Sequence, residues 1–219
     1  TDEVYGSLKP DDPSFTEDTP LNPQNPYAAT KAASDMLVQA FVNTHGISAA
    51  ITRCSNNYGP RQFPEKLIPL MTINAMKEKD LPLYGDGKQI RDWIHVEDHV
   101  SGILSTMLAL SVGQIRSGEV FNFGAENERT NIEIVQTILD NVGADESLIT
   151  YVSDRPGHDR RYAMGYEKAN RILGWRPEID WETGISETIQ WYTENKSWID
   201  SITSGEYRRY IKNQYGIDD

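Results

Sequence analysis

Short apolar runs of strand length alternate with segments of helical period along this chain, and that alternation constrains its fold more than anything else. Strands separated by helices cannot join as tight hairpins. They pair by crossovers, which predicts an α/β protein with parallel strands. Asn25 suits an N-cap and Pro26 the first helical position. Ala28, Ala29, Ala32, Ala33, Met36, Leu37, Ala40 and Phe41 then recur every four residues as one apolar stripe, and Gly46 supplies the stop. The run 47–54 reads as a buried strand. Further helices are predicted over 66–79, 97–110, 131–141, 166–173 and 181–195, with Thr130 and Glu133 at capping-box spacing, Gly174 as a stop and Asp180 as a cap. Strands are predicted over 81–84, 89–93, 119–123 and 149–152. Proline-rich 7–26 is a loop, and Asn56, Asn57, Gly59 and Pro60 make 55–65 a second one. Residues 196–219 stay unassigned.

Composition narrows the class. Hydrophobic residues make up 38% and aromatic residues 10%, too many for disorder. No apolar run approaches the roughly 18 residues of a membrane span, and no basic segment leads into an apolar one at the start. The single cysteine, Cys54, excludes an internal disulfide framework and a Cys-based zinc cage. These features favour the cytosol. A net charge of −12 disfavours nucleic acid as a partner and leaves an anionic ligand only a local basic pocket. The chain opens on Thr1 without Met, and we read it as a piece of a longer protein.

Several residues have types suited to chemistry. Tyr27 and Lys31 stand one helical turn apart, so the ammonium can favour the phenolate and make Tyr27 a general base; taken alone, such a pair is mostly a Tyr packed on a Lys stem. Thr1-Asp2-Glu3 offers two adjacent carboxylates, which different environments can turn into an acid and a base; alone, it is a solvated acidic strand end. Asn56 and Asn57 follow a buried strand, where ligands bind in open α/β sheets and where Asn also simply ends strands. Cys54 has nothing local to lower its pKa. His95 and His99 have zinc-like spacing, but Val96 replaces the required Glu, so 95–99 reads as a helix start with acids in its first turn. Lys66, Arg91, Arg155, Arg160 and Arg161 sit at element ends, suited to phosphate or to surface ion pairs. No Gly-x-Gly-x-x-Gly follows a strand, so the sequence carries no dinucleotide fingerprint of its own.

Taken in order, Thr1-Asp2-Glu3-Val4-Tyr5-Gly6, Tyr27-x-x-x-Lys31, Arg53-Cys54-Ser55-Asn56-Asn57-Tyr58-Gly59-Pro60, Phe63-Pro64-Glu65-Lys66-Leu67-Ile68-Pro69, Tyr84-Gly85-Asp86-Gly87, Arg91-Asp92-Trp93 and the segment 154–162 resemble the dTDP-glucose 4,6-dehydratases. These are extended short-chain dehydrogenases/reductases acting on nucleotide sugars. The resemblance implies the C-terminal part of a Rossmann-type doubly wound parallel sheet plus a smaller mixed α/β substrate domain, without the N-terminal glycine-rich NAD loop. It assigns 1–56 and 92–124 to the NAD-binding domain, 57–91 and 125–195 to the sugar-nucleotide domain, and 196–219 to a tail.

It implies NAD as cofactor, dTDP-glucose as substrate, no metal, and a homodimer in the full-length form. By position, Tyr27 would be the C4-hydroxyl base, with Lys31 lowering its pKa and holding the nicotinamide ribose. Thr1 would bond the C4 oxygen, Asp2 would be the acid for the leaving hydroxyl and Glu3 the base at C5. Asn57 would lie near NAD. Asn56, Lys66, Leu67, Pro82, Tyr84, Arg91, Asn122, Asp154, Arg155 and His158 would line the sugar, diphosphate and base pocket. Related epimerases and decarboxylases resemble the chain at Tyr27 and Lys31 but generally lack the acid at Asp2, which elimination of water needs. A fragment that only binds sugar nucleotide or a partner is the third reading.

Overall fold

A computed structural model describes residues 1–154, 159–203 and 205. The chain opens on a 3-10 turn, Asp2–Tyr5, and a long loop leads to α1, Pro26–His45. Then follow β1 (Ile51–Cys54), β2 (Asn56–Tyr58), α2 (Leu67–Met76), β3 (Leu81–Tyr84), β4 (Ile90–His95) and α3 (Val96–Ser111). The rest comprises β5 (Val120–Phe123), β6 (Glu128–Thr130), α4 (Asn131–Val142), a 3-10 turn (Glu146–Leu148), β7 (Ile149–Val152), α5 (Glu167–Leu173), α6 (Trp181–Glu194) and α7 (Lys196–Thr203).

Local chemistry explains the helix ends. Asn25 Oδ1 accepts the Ala28 N–H at 2.8 Å, Pro26 takes the first position, and Gly46 ends α1 with a left-handed φ of 64°. Thr130 and Glu133 make both bonds of a capping box on α4. Pro69 falls within the first turn of α2, where an amide hydrogen has no helical acceptor to lose.

The parallel pairing expected from the alternation is present. β1 pairs with β5, β2 with β4 and β3 with β7, all parallel, in three small sheets. This is an α/β fold of Rossmann type. Four sequence expectations need correction. Residues 55–65 contain β2, whose Asn-Asn-Tyr composition shows no strand pattern. β6 runs antiparallel on β4, Ile90 opposite Thr130, and is held there by distant contacts rather than its own sequence. Residues 2–5 form a 3-10 turn instead of a strand end, with the Thr1 side chain as cap. The apolar stripe of α1 is only partly covered: Ala28 and Ala32 are buried, while Met36, Leu37 and Phe41 stand at least half exposed.

The largest core joins α2, α4 and α6 to β3 and β4 through Ile68, Met71, Leu81, Leu83, Ile138 and Ile185. A second packs Phe121 and Phe123 of β5 against Ile94, Ala169 and Trp175. Gly102 lets α3 approach that core, since a Cβ there would stand 2.4 Å from the Phe123 ring. A third cluster, including Val4, Tyr5, Phe15, Ala32 and Met164, clamps the opening turn to α1.

Candidate active site

The opening turn is buried and acidic. Asp2 is only 4% exposed, and its Oδ2 has no hydrogen-bond partner among the described residues. Burial pushes its carboxyl up to about 7, the Arg91 guanidinium opposing and the Asp92 carboxylate adding to the rise. At neutral pH such a group holds a proton for part of the time, as a proton donor must. Glu3, half-buried beside it, accepts from Asn25 Nδ2 at 3.0 Å.

Asn25 therefore works twice. Its Oδ1 caps α1 and its Nδ2 binds Glu3, so one amide fastens the carboxylate turn to the start of the Tyr–Lys helix. Two residues on, Tyr27 is 51% exposed, and Lys31 Nζ lies 5.7 Å from its ring centroid. Among the described residues neither the Tyr27 hydroxyl nor the Lys31 ammonium has a hydrogen-bond partner. Both donors face outward, unspent.

Arg91 lies with its guanidinium 4.4 Å over the Tyr162 ring and donates to the carbonyls of Ile90 and Asp159. Asp92 is fully buried and accepts the amides of Ala125 and Asn127 at 3.1 and 2.8 Å, which seats β6 beside β4. Burial raises its carboxyl too. Burial likewise pushes the Cys54 thiol up, which accords with its reading as no nucleophile. His95 caps α3 by accepting the Glu97 amide, the helix start that its sequence context indicated.

The other expected residues divide. Asn56 is half-buried on β2. Asn57 spends its amide inside the protein, donating to the Ser55 carbonyl at 3.0 Å and to Cys54 Sγ at 3.3 Å, with its Oδ1 2.8 Å from His99 Nδ1. Lys66 is exposed and paired with Glu65, and Leu67 opens α2 behind it. Pro82 and Tyr84 lie on β3, Tyr84 41% exposed. Asp154 accepts from Gln89 Nε2 at 2.8 Å. Arg155 and His158 lie outside the described residues.

Asn122 lies on β5. It is 0% exposed; its Oδ1 accepts from the Tyr5 hydroxyl at 2.8 Å and braces the turn from beneath, while its Nδ2 has no hydrogen-bond partner among the described residues. Arg160 and Arg161 are occupied by Asp86 and by a fork onto Glu128. Sequence reading missed the second arm of Asn25 and the pairing of Arg53 with Tyr5. The Asn-Pro cap was visible, but nothing local shows where the other half of an amide points.

A family model described as GDP-mannose 4,6 dehydratase matches residues 1–188. The chain belongs to that family. Among its relatives, dTDP-glucose 4,6-dehydratase 1 of Escherichia coli (strain K12) is 48% identical over 230 residues, covering 98% of this chain and 62% of the relative. The dTDP-glucose 4,6-dehydratase of Bacillus anthracis str. Ames, solved in complex with NAD, has 49% identity and a TM-score of 0.85 over 93% of this chain and 63% of that one. The Streptomyces venezuelae enzyme of the same name, also solved with NAD, has 45% identity and a TM-score of 0.87 over 92% and 61%. The chain thus spans about three-fifths of these family members' length. No helix among its described residues is long and apolar enough to cross a membrane.

Proposed function

We propose that this chain is the catalytic and sugar-nucleotide-binding portion of an NAD-dependent dTDP-glucose 4,6-dehydratase, a cytosolic lyase that converts dTDP-glucose to dTDP-4-keto-6-deoxyglucose with loss of water. One observation carries the reading: a buried carboxyl held partly protonated, a second carboxylate beside it, and a Tyr–Lys helix tied to both through Asn25. Epimerisation at C4 has no need of that buried acid.

The residues present fit the cofactor, since Tyr27 and Lys31 offer unspent donors on an open helix face. NAD, when bound, supplies the acceptor for the C4 hydride and returns it at C6. Lys31 would hold the nicotinamide ribose, and Asn57 would contribute through its backbone or position because its side chain is already engaged. Tyr27 as phenolate takes the C4 hydroxyl proton while Thr1 bonds that oxygen. The resulting ketone acidifies C5, whose proton passes to Glu3. The C5–C6 double bond forms as the C6–O bond breaks, and Asp2 gives its proton to the departing hydroxyl, releasing water. Asn56, Lys66, Leu67, Pro82, Tyr84, Arg91, Asn122 and Asp154, with Arg155 and His158, would bind the sugar nucleotide. We assign 1–56 and 92–124 to the cofactor side and 57–91 and 125–195 to the substrate side. The apolar faces that α1 and α3 leave open, with Leu37, Phe41, Met107 and Leu108 outward, support a homodimer of the full-length protein.

The test is turnover by the protein with its complete NAD-binding half. dTDP-glucose should give the 4-keto-6-deoxy product, seen by its absorbance in alkali and by mass. Recovery of a C4 epimer instead would overturn the reading. The 219 residues alone should be inactive and bind NAD poorly, because the glycine-rich turn that holds the pyrophosphate is not among them.

A further inference from the structure

The reacting groups of the proposed dehydratase stand on two separate elements, the Asp2–Tyr5 turn and α1. Beneath them one side chain touches both. Arg53, on β1 and 6% exposed, donates from Nε to Asp35 Oδ2 at 2.8 Å. Asp35 lies on α1 one turn beyond Lys31 and two beyond Tyr27. From Nη1 the same guanidinium donates to the Tyr5 hydroxyl at 2.6 Å, and its carbon stands 4.9 Å over the Tyr5 ring. Tyr5 closes the turn that carries Asp2 and Glu3, and its hydroxyl donates in turn to Asn122 Oδ1 on β5.

Stability alone gives little reason for this arrangement. A buried ion pair costs desolvation, and apolar residues of similar size are often as stabilising. Direction is what the fork adds. A guanidinium is planar and rigid, so its Nε and Nη1 bonds fix two partners at a set angle, which a lysine cannot do.

We propose that Arg53 is a positioning residue, a buried fork that sets α1 against the Asp2–Tyr5 turn so that Tyr27 and the two carboxylates address one hexose ring. The proposal deepens the dehydratase reading and rests on it. Arg53 itself touches neither substrate nor cofactor.

The test uses the full-length holoenzyme with Arg53→Met combined with Asp35→Leu, so that no carboxylate is left without its partner. The double variant should melt within a few degrees of the parent and keep KM within about twofold. Its kcat should fall about tenfold to a hundredfold, the scale on which misplacing a reacting group by an ångström acts. Amide hydrogen exchange should quicken at residues 2–5 and 26–35 and remain unchanged in α4 and α6. Should the double variant fail to fold, Tyr5→Phe removes the Nη1 acceptor, together with the donor to Asn122 Oδ1, and should lower kcat about fivefold, again at constant KM. A folded variant with parental kcat and parental exchange overturns the proposal, as does a loss of kcat explained by the unfolded fraction. An inactive parent would sink the dehydratase reading instead, and the exchange data would still decide whether Arg53 couples the two elements.

Discussion

Replacing Asp2 by Asn should stabilise the protein above neutral pH and leave it nearly unchanged in acid. The carboxyl is 4% exposed with one oxygen unbonded among the described residues, and burial lifts it from an ordinary 3.8 to about 7. In the unfolded chain it titrates near about 3.9. Below that pH the group is protonated in both states and costs nothing. As pH rises toward 7 the unfolded state loses the proton first, and the folded state is progressively disfavoured; above 7 the cost is complete. Each unit corresponds to about 1.4 kcal/mol, so a rise of about three units amounts to about 4 kcal/mol.

Asparagine has the same shape and never ionises, so it escapes that cost. Urea unfolding followed by tryptophan fluorescence, run on parent and Asp2→Asn at pH 4.5 and pH 8.5, reads the difference directly. The variant's advantage should grow by about 2–4 kcal/mol between the two conditions. An advantage that does not change with pH would refute the argument, and so would a variant less stable than the parent at pH 8.5.

Other expectations follow from single contacts. Tyr27→Phe in the complete enzyme should lower kcat about 10²–10⁴-fold at unchanged stability, since the hydroxyl bonds nothing among the described residues; near-parental kcat would remove Tyr27 as the base. Gly102→Ala places a methyl 2.4 Å from Phe123 and should cost about 1–3 kcal/mol, measured by thermal or urea unfolding. Thr130→Ala deletes half of the α4 capping box and should cost about 1 kcal/mol by the same assay.

Much of the fold was legible because its causes are local. Asn25, Pro26 and Gly46 bound α1 within a residue, and Thr130 with Glu133 opened α4, because caps answer amides three residues away. β2 and β6 escaped because neither has an apolar alternation. Each exists through β4, and β6 depends on Asp92 receiving amides from Ala125 and Asn127, more than thirty residues distant. The stripe on α1 showed that one face is apolar and could not show what covers it. For the site, residue types and order indicated Tyr27, Lys31, Asp2 and Glu3, but not that Asn25 joins them. Nor could sequence show which face of β5 Asn122 takes; its partner, Tyr5, lies 117 residues away.

The most direct test of a buried acid and a Tyr–Lys helix serving one sugar ring is dTDP-glucose turnover in D₂O, with the complete parent enzyme and its Asp2→Asn variant side by side. The account expects the parent to lose water and the variant to lose it about 10²–10⁴-fold more slowly, while exchange of the C5 hydrogen with solvent continues through Tyr27 and Glu3. Water loss by the variant at the parental rate would contradict it.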